Sequence, residues 1–174
     1  ELVFGLLIYA IRNFYNGTSG TELKGKKLGI HAYGNVGRNV ARIAKGFGME
    51  ILAFDMFCRD EDIKAEGVNP TCSVKMLYQS CDIISINIPA TKETKQSINA
   101  ELLQLLPKGA VLVNTARKEV VHEADMVQFM ESRRDVKYVT DVMPDNHAEM
   151  LEKFPTRYFA TAKKMGAQTS EANI

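Results

Sequence analysis

The stretch L-G-I-H-A-Y-G-N-V-G-R-N-V-A, residues 28–41, leads from an apolar run through a glycine-containing turn into a segment with helical periodicity. Gly34 would let the backbone approach a pyrophosphate, and Gly37 would let the helix pack closely against the strand. The helix N-terminus adds amide donors and a partial positive charge that favour anions. The stretch therefore predicts a dinucleotide-binding turn. Because Ala32 stands where G-x-G-x-x-G has its first glycine, a tight turn without a ligand is the alternative.

Short apolar runs alternate with helical segments along the rest of the chain. Strands are predicted at 27–32, 50–54, 82–88, 110–114, 137–141 and 158–161, and helices at 36–47, 74–78, 100–105 and 123–133. Nearly continuous apolar strands separated by helices imply a parallel sheet buried on both faces. The predicted fold is α/β, a doubly wound parallel sheet that forms one dinucleotide-binding domain over residues 1–174.

The composition is ordinary for a globular protein, with 45% hydrophobic and 25% charged residues among 174. A formal net charge of +1 gives no indication of a nucleic-acid surface. Cys58, Cys72 and Cys81 have neither metal-ligand spacing nor the even number of a disulfide framework, so we expect no metal and a reducing, cytoplasmic location.

The chain opens with an apolar run, residues 2–11, and has no initiator Met. The run is too short to span a bilayer and lacks the flanks of a signal peptide, so an amphipathic or buried helix within residues 1–15 is predicted, and no membrane partner. The missing Met and the apolar first helix together suggest a piece of a longer polypeptide.

Candidate ligand-binding residues stand where the predicted strands end, since open parallel sheets bind ligands beyond the carboxyl ends of their strands. Asp55 ends the second strand, eighteen residues after Gly37 and near the ~20 typical of an acid that binds the adenine ribose. Its charge would repel a 2′-phosphate, which favours NAD over NADP. A solvated acid at a strand end is the alternative.

Two further strand ends carry charged residues. Arg117 follows the strand at 110–114, and its guanidinium fork matches a carboxylate, although a surface ion pair is the alternative. Asp141 ends the strand at 137–141 and would either accept a hydrogen bond from a nicotinamide carboxamide or cap a loop. The sequence leaves these two possibilities open.

Five stretches together carry a resemblance to a known family. They are E-L-V-F-G-L-L-I-Y-A-I-R (1–12), L-K-G-K-K-L-G-I-H-A-Y-G-N-V-G-R-N-V-A (23–41), D-I-I-S-I-N-I-P-A-T-K-E-T (82–94), L-L-P-K-G-A-V-L-V-N-T-A-R (105–117) and M-G-A-Q-T-S-E-A (165–172). In this order they resemble the Rossmann-type NAD-binding domain of the D-isomer-specific 2-hydroxyacid dehydrogenases. The likeness is strongest to D-3-phosphoglycerate dehydrogenases that have lysine in place of the catalytic histidine.

The resemblance implies a set of cofactor-binding positions in this chain. These are Tyr33, Gly34, Asn35, Val36 and Gly37 along the pyrophosphate, Asp55 at the ribose, Pro89 and Thr91 along the cofactor, and Thr115, Ala116, Arg117, Asp141, Lys164 and Gly166 around the nicotinamide. Arg117 would also bind the 2-hydroxy or 2-oxo acid and polarise its carbonyl. The family builds its substrate domain from both chain ends, and that domain is absent here.

The chain departs from the family's pattern at several positions. Where most members have a glycine, a Gly-Gly pair, a histidine and a glutamate, this chain has Ala32, Lys118-Glu119, Asn87 and Asn146, the last beside Asp145.

Lys164 takes the place of the family's catalytic histidine, and Lys163 stands where a proline is usual. Lysines ordinarily titrate near ~10.4, so a carboxylate partner would hold one charged, and losing the glutamate together with the histidine is chemically coherent. Arg117 and an oxidised nicotinamide would favour the neutral amine. Lys164 is therefore the predicted acid/base and Lys163 the second choice, while two solvated lysines at a non-catalytic site are the alternative.

The activity that the resemblance implies is NAD-dependent oxidation of 3-phosphoglycerate, the first step of serine biosynthesis. The alternatives are a hydroxypyruvate or glyoxylate reductase, and a non-catalytic NAD(H)-sensing protein on the same fold. Family members usually pair through the cofactor domain, so a homodimer through residues 1–15 is expected.

Overall fold

A seven-stranded, wholly parallel sheet organises the chain in the computed structural model, which describes residues 1–172. The strands lie in the order β3-β2-β1-β4-β5-β6-β7, so the order reverses between β1 and β4. Their bounds are Lys27–His31, Glu50–Phe54, Asn69–Pro70, Ile83–Ile86, Val111–Asn114, Lys137–Thr140 and Tyr158–Ala160 for β1 to β7. The predicted doubly wound α/β fold is confirmed.

Helices cover both faces of this sheet. Their bounds are Leu2–Ile11, Asn35–Gly46, Asp60–Ala65, Val74–Ser80, Ala100–Leu103, Glu123–Ser132 and His147–Lys153 for α1 to α7, with single 3-10 turns at Asn13–Tyr15 and Lys118–Val120. Alternate residues of a strand point to opposite faces. In β5, Val111 and Val113 accordingly pack in one buried cluster with α1 and α2, while Leu112 packs in a second cluster with α4, α5 and α6.

All six predicted strands are present, and so are the four helices predicted between them. Their ends differ from the predicted ones by at most two residues. Three elements were missed. The edge strand β3 has two residues, one of them Pro70, and α3 and α7 are short helices that bury only Ile63 and Met150 respectively. Such short segments bury too few side chains to produce a visible periodicity.

Helix α1 packs mainly in the core, although it lies within the segment 1–15 that is expected to pair two chains. Six of its ten residues are buried, and Phe4 stacks on Phe47 with ring centroids 5.1 Å apart. Lys137 donates hydrogen bonds to the Ala10 carbonyl and the Asn13 side chain, which secures the end of the helix to β6. Within residues 1–172 there is no helix both long and apolar enough to cross a membrane.

The turn between β1 and α2 is built around a left-handed residue. Ala32 has φ +79°, a conformation that usually requires glycine and explains why the motif has glycine at this place. A Cβ on Gly37 would lie 2.4 Å from the Ala32 carbonyl oxygen, so only glycine permits the close approach of α2 to the turn. The departure at Ala32 is therefore a strained one, with the backbone course of the motif preserved.

We expect Ala32→Gly to stabilise the domain by about 0.5–1 kcal/mol, since relief of about 1–2 kcal/mol of left-handed strain exceeds the added freedom of glycine in the unfolded chain. Urea denaturation followed by circular dichroism measures the change. Ala124→Gly, in the first turn of α6, is the matched control and should lose stability. Equal or lower stability of the Ala32→Gly variant would contradict the strain.

Candidate functional site: two clefts at the carboxyl edge of the sheet

Two adjoining clefts open where the strand order reverses between β1 and β4. The Asp55 cleft, of about 480 Å³, is lined among others by His31, Asp55, Pro89, Thr91 and Leu102. The Arg117 cleft, of about 690 Å³, is lined among others by Val36, Pro89, Thr115, Arg117, Lys164 and Gly166. Because both clefts include Ile88 and Pro89, they form one extended channel with the start of α2 beside it.

The first turn of α2 presents free backbone donors beside the channel. Gly34 is the N-cap and no side chain caps the helix, so the first amides have no partner within the helix. Asn35 and Val36 line the Arg117 cleft, and Val36 is 57% exposed. A Cβ on Gly34 would meet nothing within 4 Å, so the space over its Cα is open for a ligand. These features fit the pyrophosphate of a dinucleotide.

Asp55 is fixed at the end of β2 by main-chain amides. Its Oδ2 accepts from Tyr33 N at 2.7 Å, and its Oδ1 accepts from Phe57 N and Cys58 N at 2.7 and 2.9 Å. Burial works to raise the pKa of this carboxyl, but the three amides and the nearby Arg38 charge outweigh it, and the net pKa lies below its ordinary value. The carboxylate is thus ionised and oriented, with one lone-pair site left on Oδ2 for a hydroxyl donor.

Three of the predicted cofactor positions contribute through their backbone. The Tyr33 side chain is 2% exposed and turns into the core, where its hydroxyl donates to Glu66 at 2.9 Å. Only its amide, bonded to Asp55, serves the cleft. Pro89 and Thr91 belong to a compact turn in which Thr94 Oγ1 accepts from Thr91 N and donates to the Pro89 carbonyl. That turn forms the wall opposite Asp55.

Arg117 is presented by a loop that buried Asn114 holds in shape. Asn114 Oδ1 accepts from Ala116 N at 2.9 Å, and its Nδ2 donates to the Arg117 carbonyl at 3.0 Å. The guanidinium is exposed and donates to the Ala116 carbonyl; within residues 1–172 it has no carboxylate partner. An unpaired guanidinium in a cleft fits a substrate carboxylate.

Asp141, directly after β6, holds a loop, which is one of the two possibilities that the sequence left open; the contact with a nicotinamide carboxamide stays a prediction. Its Oδ2 accepts from Met165 N at 3.1 Å and Gly166 N at 2.8 Å, which folds the C-terminal loop back onto the sheet. Its Oδ1 is buried and without a hydrogen bond within the described chain. An orphaned buried acceptor is costly unless a ligand supplies a donor, and the nicotinamide carboxamide offers one.

Lys164 is drawn into the Arg117 cleft by this loop. Its Nζ donates to the carbonyls of Thr115 at 2.8 Å and Ala116 at 3.2 Å, and lies 3.7 Å from Asp141 Oδ1. Lys163 is exposed, and its side chain has no hydrogen bond or ion pair with any residue from 1 to 172. Of the two lysines, Lys164 lines the Arg117 cleft and Lys163 does not.

A carboxylate does lie beside Lys164, but it does not come from the position of the family's glutamate. Asp145, beside the position of the family's glutamate, pairs with Lys118 and does not line the Arg117 cleft. Asn146 is the N-cap residue of α7, and its backbone N–H donates a hydrogen bond to the Glu123 carboxylate. The carboxylate next to Lys164 is Asp141 instead.

Several residues of the clefts had been assigned no role from sequence. Glu1 and Leu2, at the start of α1, line the Arg117 cleft, and no local pattern could have indicated this because it depends on how α1 packs on the sheet. Asn87 directly follows β4, and its side-chain Oδ1 is buried without a hydrogen-bond partner within residues 1–172. His31 lines the Asp55 cleft; its place at the end of β1 was the available signal.

The reversal of strand order, the open α2 N-terminus and the fixed Asp55 define a Rossmann-type dinucleotide-binding domain. Residues 10–160 match the model of the "D-isomer specific 2-hydroxyacid dehydrogenase, NAD binding domain". The chain belongs to this family, and NAD as the cofactor is confirmed with it. The part each residue plays in holding NAD stays a prediction.

The chain is similar in sequence to several kinds of 2-hydroxyacid dehydrogenase. It is 34% identical to D-3-phosphoglycerate dehydrogenase of Bacillus subtilis, covering 89% of this chain and 29% of that protein. It is 33% identical to glyoxylate reductase of Thermococcus litoralis, covering 88% of this chain and 46% of that protein. The chain therefore spans less than half the length of both relatives.

A solved structure is also close to this one. The crystal structure of NAD⁺-bound 3-phosphoglycerate dehydrogenase of Entamoeba histolytica superposes with a TM-score of 0.93 at 40% identity, over 99% of this chain and 55% of that one. The likeness extends over nearly the whole chain.

Gly34→Ala should lower NADH affinity at least about tenfold, because the new methyl group occupies ligand space, and should change the free energy of unfolding by less than about 1.5 kcal/mol, since the poorer N-cap is partly offset by the lower freedom of alanine in the unfolded chain. Fluorescence titration with NADH and urea denaturation measure the two quantities. Gly46→Ala, at the other end of α2 and equally unobstructed, is the matched control and should bind NADH normally. Unchanged binding by Gly34→Ala would remove the pyrophosphate from this turn.

Proposed function

We propose that the protein carrying this chain oxidises 3-phosphoglycerate reversibly at its 2-hydroxyl group with NAD⁺. The carrying observation is that Arg117 and Lys164 line the same cleft. Among residues 1–172 the Arg117 guanidinium has no carboxylate partner, and the nearby Asp141 Oδ1 has no hydrogen bond. The Bacillus subtilis and Entamoeba histolytica relatives, both named for 3-phosphoglycerate, support this substrate.

In the proposed reaction, NAD⁺ accepts the hydride that leaves C2 of the substrate. Arg117 holds the substrate carboxylate in a two-pronged hydrogen bond and draws electron density from the developing carbonyl. Lys164 as a free amine takes the hydroxyl proton and becomes an ammonium, and in the reverse direction it returns that proton to the carbonyl oxygen. Asp141 fixes the loop that carries Lys164 through the Met165 and Gly166 amides.

Reduction of glyoxylate or hydroxypyruvate is the second candidate. It shares every step above, and the identity to a Thermococcus litoralis glyoxylate reductase favours it almost equally. The two substrates differ from 3-phosphoglycerate in lacking a phosphate. Comparing kcat/KM of the full-length protein for 3-phosphoglycerate, hydroxypyruvate and glyoxylate separates the candidates, and no turnover of any of them would leave an NAD(H)-sensing role.

Lys164→Ala in the full-length protein should reduce 3-phosphoglycerate oxidation by at least about a hundredfold, since general acid–base catalysis contributes 10²–10⁴-fold. NADH affinity should stay within about threefold, because the amine contacts main-chain carbonyls of the cleft wall. Steady-state kinetics and NADH fluorescence measure the two effects.

Lys163→Ala is the matched control, one residue away on the same loop, and should keep normal turnover. Normal turnover by Lys164→Ala would show that lysine is not the base.

We also propose that two chains pair through α1. Leu2 and Ile8 are only half-buried on this helix, and Gly5 between them is exposed and unobstructed, which would let a second helix come close. Ile8→Glu should convert a dimer to a monomer without loss of NADH binding, as measured by analytical ultracentrifugation. A monomeric wild type would contradict the pairing.

A further inference from the structure

His31 is a buried polar residue of the Asp55 cleft that the reaction does not use. It ends β1, is 7% exposed, and lines the cleft with its small accessible surface. Burial lowers its pKa to about 4, against the opposing charge of Asp55, so the imidazole is neutral near pH 7. A neutral imidazole has one N–H donor and one acceptor nitrogen, and its surroundings decide which nitrogen carries the proton.

The neighbour that decides is Tyr78 of α4. Its hydroxyl lies 3.2 Å from His31 Nδ1, with the two rings nearly perpendicular. Tyr78 is fully buried, and within residues 1–172 that nitrogen is the sole hydrogen-bond partner of its hydroxyl. Burial also raises the pKa of Tyr78, so the hydroxyl keeps its proton. A buried O–H needs an acceptor, so Tyr78 donates to Nδ1 and the imidazole proton must sit on Nε2.

Nε2 is the ring nitrogen that the cleft can reach. The buried side-chain polar atoms without a partner in the described residues are Asn87 Oδ1 and Asp141 Oδ1, and Nε2, which has no hydrogen bond there either, is not among them. It is therefore solvent-accessible, and the Asp55 cleft is the cavity that His31 lines. The surrounding wall is mostly apolar, with Val74, Ile88 and Leu102, so an N–H donor there is a specific feature.

We propose that His31 Nε2–H donates a hydrogen bond to a ring nitrogen of adenine. Asp55 has a carboxylate that can only accept and so suits a ribose hydroxyl, whereas the adenine ring offers acceptor nitrogens to a donor. His31 is then a cofactor-contacting residue, and Tyr78 is a positioning residue that fixes its tautomer. The inference rests on the proposed placement of NAD in the two clefts.

The tautomer is tested first, on wild-type protein and without any ligand. Long-range ¹H–¹⁵N spectra of the three histidines distinguish Nε2–H from Nδ1–H, and a His31→Phe sample assigns the signal. We expect His31 as the Nε2–H form, and Tyr78→Phe should release it into a mixture of tautomers. An Nδ1–H form in the wild type would overturn the inference.

The base contact is tested by calorimetry with ADP and with its 1-deaza, 3-deaza and 7-deaza analogues, each of which replaces one acceptor nitrogen by C–H. In the wild type, one analogue should bind about tenfold more weakly than ADP. In His31→Phe/Tyr78→Phe, which leaves no orphaned hydroxyl, ADP should weaken about tenfold and that same analogue should bind no worse than ADP. This non-additivity identifies a direct contact.

A second His–Tyr pair, in which the tyrosine is buried and the histidine half-buried, provides the matched control. His147 Nδ1 lies 2.8 Å from the Tyr158 hydroxyl, and neither residue lines a cleft of the site. His147→Phe/Tyr158→Phe should therefore bind ADP and all three analogues as the wild type does. If ADP binds but each analogue loses the same factor in affinity in the wild type and in His31→Phe/Tyr78→Phe, the base contact is overturned. Failure of ADP to bind the wild type would overturn the proposed cofactor placement as well.

Discussion

The close contact between Gly37 and the Ala32 carbonyl is the constraint on which the site depends. It lets α2 start directly above the end of β1, and a single Cβ at residue 37 would prevent it. The helix N-terminus consequently lies where the strand order reverses, beside both clefts. The chain accepts a left-handed alanine in order to keep this geometry. The packing of α2 at Gly37 thus decides where the N-terminus of this helix lies relative to the sheet.

Two carboxylates of the site share a design. Asp55 and Asp141 each directly follow a strand, and each accepts hydrogen bonds from backbone amides of the segment that follows or returns to it. These amides do not use all the lone pairs of either carboxylate, so both keep some capacity to accept. The same groups therefore order the surrounding loops and remain acceptors at this edge of the sheet. Substituting either one would disturb loop structure and binding together.

Apolar runs were enough to predict the six longer strands and the doubly wound sheet, because each buries side chains on both faces. The spacing from Gly37 to Asp55 likewise predicted a carboxylate at the end of β2. The orientation of Tyr33 could not be predicted in this way, since its hydroxyl partner Glu66 is 33 residues away. The position of Lys164 depends on Asp141 capturing the C-terminal loop, which is also a contact between distant segments.

The contacts of Lys164 set a condition on its chemistry that follows from counting protons. An ammonium has three N–H bonds, and the two hydrogen bonds of Nζ go to the carbonyls of Thr115 and Ala116. Asp141 Oδ1 lies 3.7 Å away, which is an ion-pair distance and longer than a hydrogen bond. A neutral amine has two N–H bonds, so it can keep both carbonyl contacts and still has a lone pair. Loss of the proton would therefore break neither hydrogen bond, and the two carbonyls would hold the amine in place in either form.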